Sequence, residues 1–464
     1  MGINILSNNR VLFFILIAGL SARLFLIVFF QGHDLLFYDA DSHEYMALAE
    51  NIRLGHGFSW DSAEPYRPNS FRTPMYPAFI FLARYLFGHY EAALIIQAIL
   101  IFLSGYLLYL IGSQCLKNKK IALWSVGIFL FMPFSLNVSV KFLTQTMFMF
   151  ILILAIWSWI KFLKSLPADR HGQSKNYFLL TSFLLPILAL TRPIAQYIPA
   201  VFIFSLAYAV YLKRYAERGQ VPSKKVPDPF NFLRSVGFMV AIFFIVLSPW
   251  LVRNFRSFGV FELSSIVPYQ LYFYELPDTY AMAKGISYQE AGNILRKEMD
   301  DYSKADNFSY YMEFGSRDVL LERSYYYLSQ YPLYTIASRI KNSAKFFLRD
   351  GIRYWYNDFN RDGRTDVDVY KIVTLNEKSL FPYLVVVERL FLAILFVGML
   401  ASVFYLFKEN VAARSLLAFL LILLVYFSFI TGAMASAGLR FPVEPIFILV
   451  GLNGLSRFFI KQKA

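Results

Sequence analysis

The chain has 464 residues, of which 57% are hydrophobic, 19% aromatic and 16% charged, with a formal net charge of +14. So few charges, with a positive mean hydropathy, exclude an ordinary soluble domain, in which about 25% of residues are charged, and point to a polytopic membrane protein. The single cysteine, Cys115, excludes an intramolecular disulfide framework.

In chain order, the first apolar run is Val11 to Phe30, close to the ~20 residues that cross a bilayer. No small-residue cleavage site follows it, so it reads as a retained anchor. Arg23 inside this run predicts a buried ion pair, because an unpaired charge at that depth costs at least ~2.5 kcal/mol. Beyond it, Ser42–Asn51 predicts a helix, with Tyr45, Leu48 and Ala49 at i, i+3, i+4 spacing. Asp41 would be its N-cap, and Asp41 with Glu44 makes the Asp-x-x-Glu variant of a capping box. Pro74–Gly88 is apolar but short and carries Arg84, which predicts an interfacial or re-entrant helix within the first outer loop, residues 31–91.

Further apolar runs fall at Ala92–Ile111, Ile121–Val140, Thr144–Phe162, Tyr177–Leu190, Ile194–Leu212, Val236–Val252, Leu384–Phe407, Ser415–Ile430 and Val443–Leu455. With the first run they predict about ten transmembrane helices, an even number that puts both termini on one side. The connecting segments at Arg10, Lys117–Lys120, Lys161–Lys175, Lys213–Arg234, Lys408–Arg414 and Arg457–Lys463 hold 19 Lys and Arg against four acids. The positive-inside rule assigns these segments, and both termini, to the cytoplasmic side of the inner membrane. The basic excess of the chain resides there, so no nucleic-acid partner is needed to explain it.

The segment 253–380 is neutral, with 17 basic and 17 acidic residues, and on this topology faces outside. Ser287–Tyr302 reads as a helix, and Asn307–Asp350 as two more, broken at Tyr331-Pro332. No strand-like alternation and no internal repeat is evident. The chain thus divides into an N-terminal transmembrane module (1–252), an extracytoplasmic domain (253–380) and C-terminal transmembrane helices (381–464), all α-helical.

The polar residues of the predicted outer face carry the chemistry. They are Asp39, Asp41, Glu44, Tyr45, Arg67 and Arg72 in the first loop, Arg192 in Thr191-Arg192-Pro193, Arg253 in Pro249-Trp250-Leu251-Val252-Arg253-Asn254, and Arg440 in Gly438-Leu439-Arg440-Phe441-Pro442. A guanidinium offers a planar fork that never loses its charge, so several at one membrane level suit a phosphate or pyrophosphate. Each alone would serve equally to snorkel to lipid head groups. A carboxylate beside such a cluster would take a proton from an acceptor hydroxyl while the arginines steady a departing phosphate, and a divalent metal could share the second task.

The ordered segments Asp41 to Ile52 (Asp-Ser-x-Glu-Tyr-x-x-Leu-Ala-x-Asn-Ile), Arg72 to Pro77 (Arg-Thr-Pro-x-Tyr-Pro), Thr191 to Pro193 and Pro249 to Asn254 resemble the GT-C superfamily. More narrowly, they resemble glycosyltransferase family 39, the bacterial relatives of protein O-mannosyltransferases and of the lipid A aminoarabinose transferase. The resemblance runs from the first span to about Asn254 and resumes weakly at Arg440. It implies a GT-C fold and an inverting transfer of a sugar from a polyprenyl-phosphate donor at the outer membrane face, to an acceptor that is a protein, a lipid or a glycan. It also implies Asp41, with Asp39 second, as base or metal ligand, and Arg72 and Arg253 as holders of the donor phosphate. Where many relatives carry a glutamate near the start of the fourth span, this chain has Gln145, which can only hydrogen-bond. A polysaccharide polymerase or ligase using a lipid-linked donor, and a membrane transporter, are the alternative readings.

A second motif, Asp358, Asn360, Asp362, Gly363 and Asp366, with Arg364 at the seventh position, follows the spacing of a calcium loop over 358–368. Its twelfth position is Val369 instead of an acid, so it reads equally as a solvated turn or as a structural calcium site. The five histidines show no zinc spacing. The tyrosine-rich stretches Tyr269–Tyr280 and Tyr310–Tyr334 suit either sugar stacking or an aromatic belt.

Overall fold

The computed structural model describes residues 3–31, 38–116, 118–165, 173–216, 229–303, 308–359 and 379–460. Helix α1 (Ile3–Phe29) is followed by α2 (Ala40–Leu54) and α3 (Met75–Phe87), then by α4 (Ala92–Cys115), α5 (Lys119–Phe131), the short α6 (Pro133–Val138), α7 (Thr144–Ser165), α8 (Gln173–Thr191), α9 (Ile198–Ala216) and α10 (Pro229–Phe258). The middle of the chain folds as α11 (Ile266–Gln270), α12 (Leu276–Lys284), α13 (Tyr288–Ser303), α14 (Arg317–Gln330), α15 (Pro332–Leu348) and α16 (Ile352–Phe359). Helices α17 (Leu380–Tyr405), α18 (Val411–Ile430), α19 (Ala437–Arg440) and α20 (Glu444–Ile460) close it. No strand occurs among the described residues.

Eight helical stretches among the described residues are long and apolar enough to cross a membrane, from Arg10–Phe29 to Ala437–Arg457. Of the ten expected spans, two fall short of that standard as single helices. Ile121–Val140 is broken into α5 and α6, because Pro133 has no N–H to continue the ladder. Tyr177–Leu190 lies within α8, which carries Pro186 in its interior. The apolar α3, at 13 residues, is about 20 Å long and too short to span, as its composition predicts.

The break at Pro133 explains Arg23 and corrects the expected ion pair. Arg23 is fully buried, and its guanidinium donates to Gly19 O (2.8 Å), Leu130 O (3.0 Å) and Ser135 Oγ (2.8 Å). Backbone carbonyls at the interrupted helix supply what a carboxylate was expected to supply. A buried cation needs partners, but they need not be acids.

The most enclosed span is Ala437–Arg457, while Phe232–Phe258 and Arg10–Phe29 leave most of their surface outward. Helix α20 lies against α17 through small residues: a Cβ on Gly454 would collide with the Gly398 carbonyl, and one on Gly398 with the Gly451 carbonyl. Close backbone approach through small residues is the main packing device where no hydrophobic drive separates helix from lipid.

The middle segment has its own small core of Tyr272, Leu276, Leu295, Met299, Tyr311 and Leu320. It is helical, as expected, with the predicted break at Tyr331 and with α13 within one residue of its predicted ends. Its first helical turns continue directly from the bundle, since α10 runs on to Phe258, past the expected boundary at 252. It docks on the end of α18 through Glu275, which pairs with Arg339 (2.7 Å) and accepts from Ala433 N (2.9 Å).

Candidate active site

The site is built around the segment 69–73, which leads into α3. Asn69 Oδ1 accepts from the backbone N–H groups of Phe71 (3.1 Å) and Arg72 (2.9 Å), a local turn that asparagine favours. Three distant elements then fix it: Arg253 of α10 donates to Asn69 O (2.7 Å), Ser264 Oγ to Phe71 O (2.5 Å), and Thr73 Oγ1 to Thr191 O at the end of α8 (3.0 Å).

Held in this way, Arg72 turns its guanidinium onto α2. Nη2 meets Asp41 Oδ1 at 2.7 Å, Nε meets Glu44 Oε2 at 2.6 Å, and Nη1 lies 3.3 Å from Tyr45 Oη. The Arg72 side chain is 8% exposed, whereas the Asp41 side chain is 52% exposed. Asp41 therefore presents an oriented carboxylate at the protein surface on a buried cationic post. Burial pushes the Glu44 carboxyl above the usual glutamate range, against the pull of Arg72.

The cap geometry differs from expectation. Helix α2 begins at Ala40, and the capping bond runs from Asp39 N to Ser42 Oγ (2.9 Å). Asp41 thus sits inside the first turn, and its side chain is committed to Arg72 and not to the backbone. An acid in the first turn still gains from the helix dipole.

Arg192, at the turn after α8, is close enough to Asp41, Tyr45 and Arg72 for their charges to act on it. Its Nη1 is buried and has no hydrogen-bond partner among the described residues. It lines a cavity of about 180 Å³ together with Gln270, Tyr274, Glu275 and Arg339 of the middle segment and Thr431. A guanidinium with a buried, unpartnered nitrogen, within electrostatic reach of an exposed carboxylate, suits an anion.

The other expected phosphate-binding arginines have other partners. Arg67 is exposed and pairs with Asp61 (3.2 Å). Arg253, besides its bond to Asn69, lies over the rings of Trp250 (4.8 Å), Phe258 (5.2 Å) and Phe58 (5.5 Å), which makes it a clamp for the first loop. Arg440 is fully buried, bonded to Glu444 (2.9 Å) and to the carbonyls of Phe346, Phe347 and Arg349 at the end of α15. Of the five arginines, Arg72 is the one hydrogen-bonded to Asp41, and Arg192 is near enough for the Asp41 charge to act on it.

Gln145, in the first turn of α7, is half-buried near Gly438 and accepts weakly from Thr144 Oγ1 (3.5 Å). Asp39 stands close enough to Asp358 to act on its charge. Asp358 ends up far from a free loop: its carboxylate receives Lys141 Nζ (2.7 Å) and Asn137 Nδ2 (2.6 Å). Burial raises its carboxyl above the usual range, against the charge of Lys141. An oxygen pair so engaged does not fit the first ligand of a calcium loop, and the rest of that motif, Asn360, Asp362, Arg364 and Asp366, lies outside the described residues.

No group of three or more metal-ligating side chains converges among the described residues. Asp41 and Glu44 each already face a guanidinium. This donor set does not fit a divalent ion, and no step is derived through one.

Lys141 and Gln97 are not among the residues that the sequence singles out, and Tyr76 enters there only as part of the Arg72 to Pro77 motif. Tyr76 Oη donates to Gln97 Oε1 (2.7 Å), and Gln97 Nε2 to Lys141 O (2.9 Å), a buried polar chain behind Tyr45, which packs edge-on to Tyr76. Lys141 gave a signal, because a lysine closing an apolar run at the less basic end of the bundle needs a partner.

The sequence model of the dolichyl-phosphate-mannose-protein mannosyltransferase family matches residues 71–223. No curated protein matches the chain by sequence. Among solved structures, the chain resembles the Archaeoglobus fulgidus oligosaccharyltransferase in its apo form, with a TM-score of 0.52 and 15% identity, over 97% of this chain and 51% of that one. The chain thus spans about half the length of the solved protein it matches, and the likeness at this identity is one of fold.

Proposed function

We propose that this chain is a membrane glycosyltransferase of the GT-C superfamily, which makes an inverting sugar transfer from a polyprenyl-phosphate donor to an acceptor hydroxyl at the outer face of the cytoplasmic membrane. The observation that carries this reading is the exposed Asp41 carboxylate fixed on Arg72, with the unpartnered Nη1 of Arg192 near enough to feel its charge.

The Asp41 carboxylate accepts the proton of the acceptor hydroxyl as that oxygen attacks the anomeric carbon from the face opposite the phosphate. The bond between the anomeric carbon and the phosphate oxygen breaks, and polyprenyl phosphate leaves with the electron pair. Arg192 takes the growing charge on the departing phosphate, and Arg72 keeps Asp41 oriented. A buried donor of this kind is worth more than the same contact in water. The family description, with its dolichyl-phosphate-mannose donor, supports a lipid-phosphate sugar as the donor class.

The test is transfer by the purified protein in proteoliposomes supplied with a panel of labelled polyprenyl-phosphate sugars and cell-envelope acceptors. Asp41→Asn is expected to lower turnover by about 10²–10⁴, the usual worth of a general base. Arg192→Gln is expected to lower turnover while Arg192→Lys restores part of it. Full turnover in Asp41→Asn would end the proposal.

A further inference from the structure

A second basic site lies on the flank of the bundle. Lys345 and Arg349, at the end of α15, Arg353 of α16 and Arg389 of α17 line an open groove of about 800 Å³ floored by Val386 and Leu390. None of Asp41, Arg72 or Arg192 borders it.

The groove lies at a membrane boundary. From Arg389 to Lys408 the span that begins with α17 covers about 28 Å of helix, close to the ~30 Å of a bilayer's hydrocarbon core. With Lys408 at one boundary, Arg389 reaches the other. The outward face of α17 below Arg389, formed by Leu390, Ile394 and Val397, is exposed and apolar, as lipid contact requires.

Among the described residues, the acids at this groove are buried or turned inward. The acid among these cations, Asp350, is fully buried and clasped by Arg353 (3.0 Å) and Arg389 (2.7 Å). Glu388 faces inward, accepting from Gly351 N and Ile352 N at 2.9 Å each. Lys345 and Arg349 have no acidic partner among the described residues. Burial first, then the neighbouring Arg349 charge, lowers the Lys345 ammonium from its usual range, against the weaker pull of Asp278.

We propose that this groove binds the phosphate headgroup of an anionic glycerophospholipid of the surrounding bilayer, with its acyl chains along Val386 and Leu390. The guanidinium forks receive the phosphate oxygens, and the apolar floor takes the first methylenes. Among the described residues the groove is lined by no exposed carboxylate to receive a proton, which suits anchoring and not transfer. The site depends on the chain spanning a membrane and is independent of the reaction proposed above.

The test is native mass spectrometry of the full chain in neutral detergent, titrated with phosphatidylglycerol, phosphatidylcholine or polyprenyl phosphate. Phosphatidylglycerol is expected to be retained in preference to phosphatidylcholine. The double variant Lys345→Gln, Arg349→Gln spares the Asp350 clasp and is expected to weaken phosphatidylglycerol binding roughly thirtyfold, from the loss of two interfacial cations. If that variant does not fold, Lys345→Gln alone is expected to weaken it about fivefold. Equal retention of phosphatidylcholine, or unchanged binding in the variants, would overturn the proposal. So would displacement of phosphatidylglycerol by polyprenyl phosphate at equal concentration, which would assign the groove to the donor lipid.

Discussion

Arg72 and Arg440 are both buried arginines paired with glutamate or aspartate at the ends of helices, yet the two clusters are built for different ends. Arg440 spends its donors inside: Glu444 has no exposed surface, and three carbonyls at the end of α15 complete the set. Arg72 holds Asp41, which keeps half its surface exposed, and Glu44. The same guanidinium chemistry makes a structural post where every partner is enclosed, and presents an oriented carboxylate to solvent where one partner remains exposed. Enclosure of the partners, more than burial of the arginine, separates the two.

Four substitutions test that distinction. The largest effect is expected at Asp41→Asn, the 10²–10⁴ loss of turnover given above, with thermal stability changed by no more than about 1 kcal/mol, as for other exposed ion pairs. A large drop in melting temperature without a drop in turnover would make Asp41 a structural residue like Glu444. Arg440→Ala leaves Glu444 buried and unpaired, and should destabilise the fold by about 3–5 kcal/mol, read as loss of folded protein in detergent. Next is Gly454→Leu, which forces α20 off α17 and should cost about 1–3 kcal/mol by overpacking, measured by thermal unfolding with turnover at low temperature preserved. The smallest effect belongs to Arg67→Ala, whose exposed pair with Asp61 contributes about 0–1 kcal/mol. Reduced donor binding in that variant would return Arg67 to the phosphate site.

Helix positions were widely legible because they depend on local pattern. The helix following Asp41, the stop at Tyr331-Pro332 and the short apolar helix before Gly88 all follow from spacing, proline and glycine, and the last ends on a glycine with φ of +83°. The break inside Ile121–Val140 was legible too, since Pro133 stands within the run, but continuous hydropathy hid it. Arg23 shows the limit of such reading: besides Gly19 O of its own helix, its partners are Leu130 O and Ser135 Oγ at this break, about a hundred residues away.

By itself, the sequence determined a helical membrane protein and marked Asp41 and Arg72 as candidates, because apolar run length, charge distribution and the Asp41 and Arg72 motifs are properties of the chain. Only the tertiary structure decided which arginines meet Asp41. Five candidates share a predicted membrane level, but Arg67, Arg253 and Arg440 are taken by Asp61, by an aromatic clamp and by Glu444. A side chain's role depends on which partners saturate it, and those partners come from elsewhere in the chain, as Lys141 and Asp358 do for each other across 217 positions.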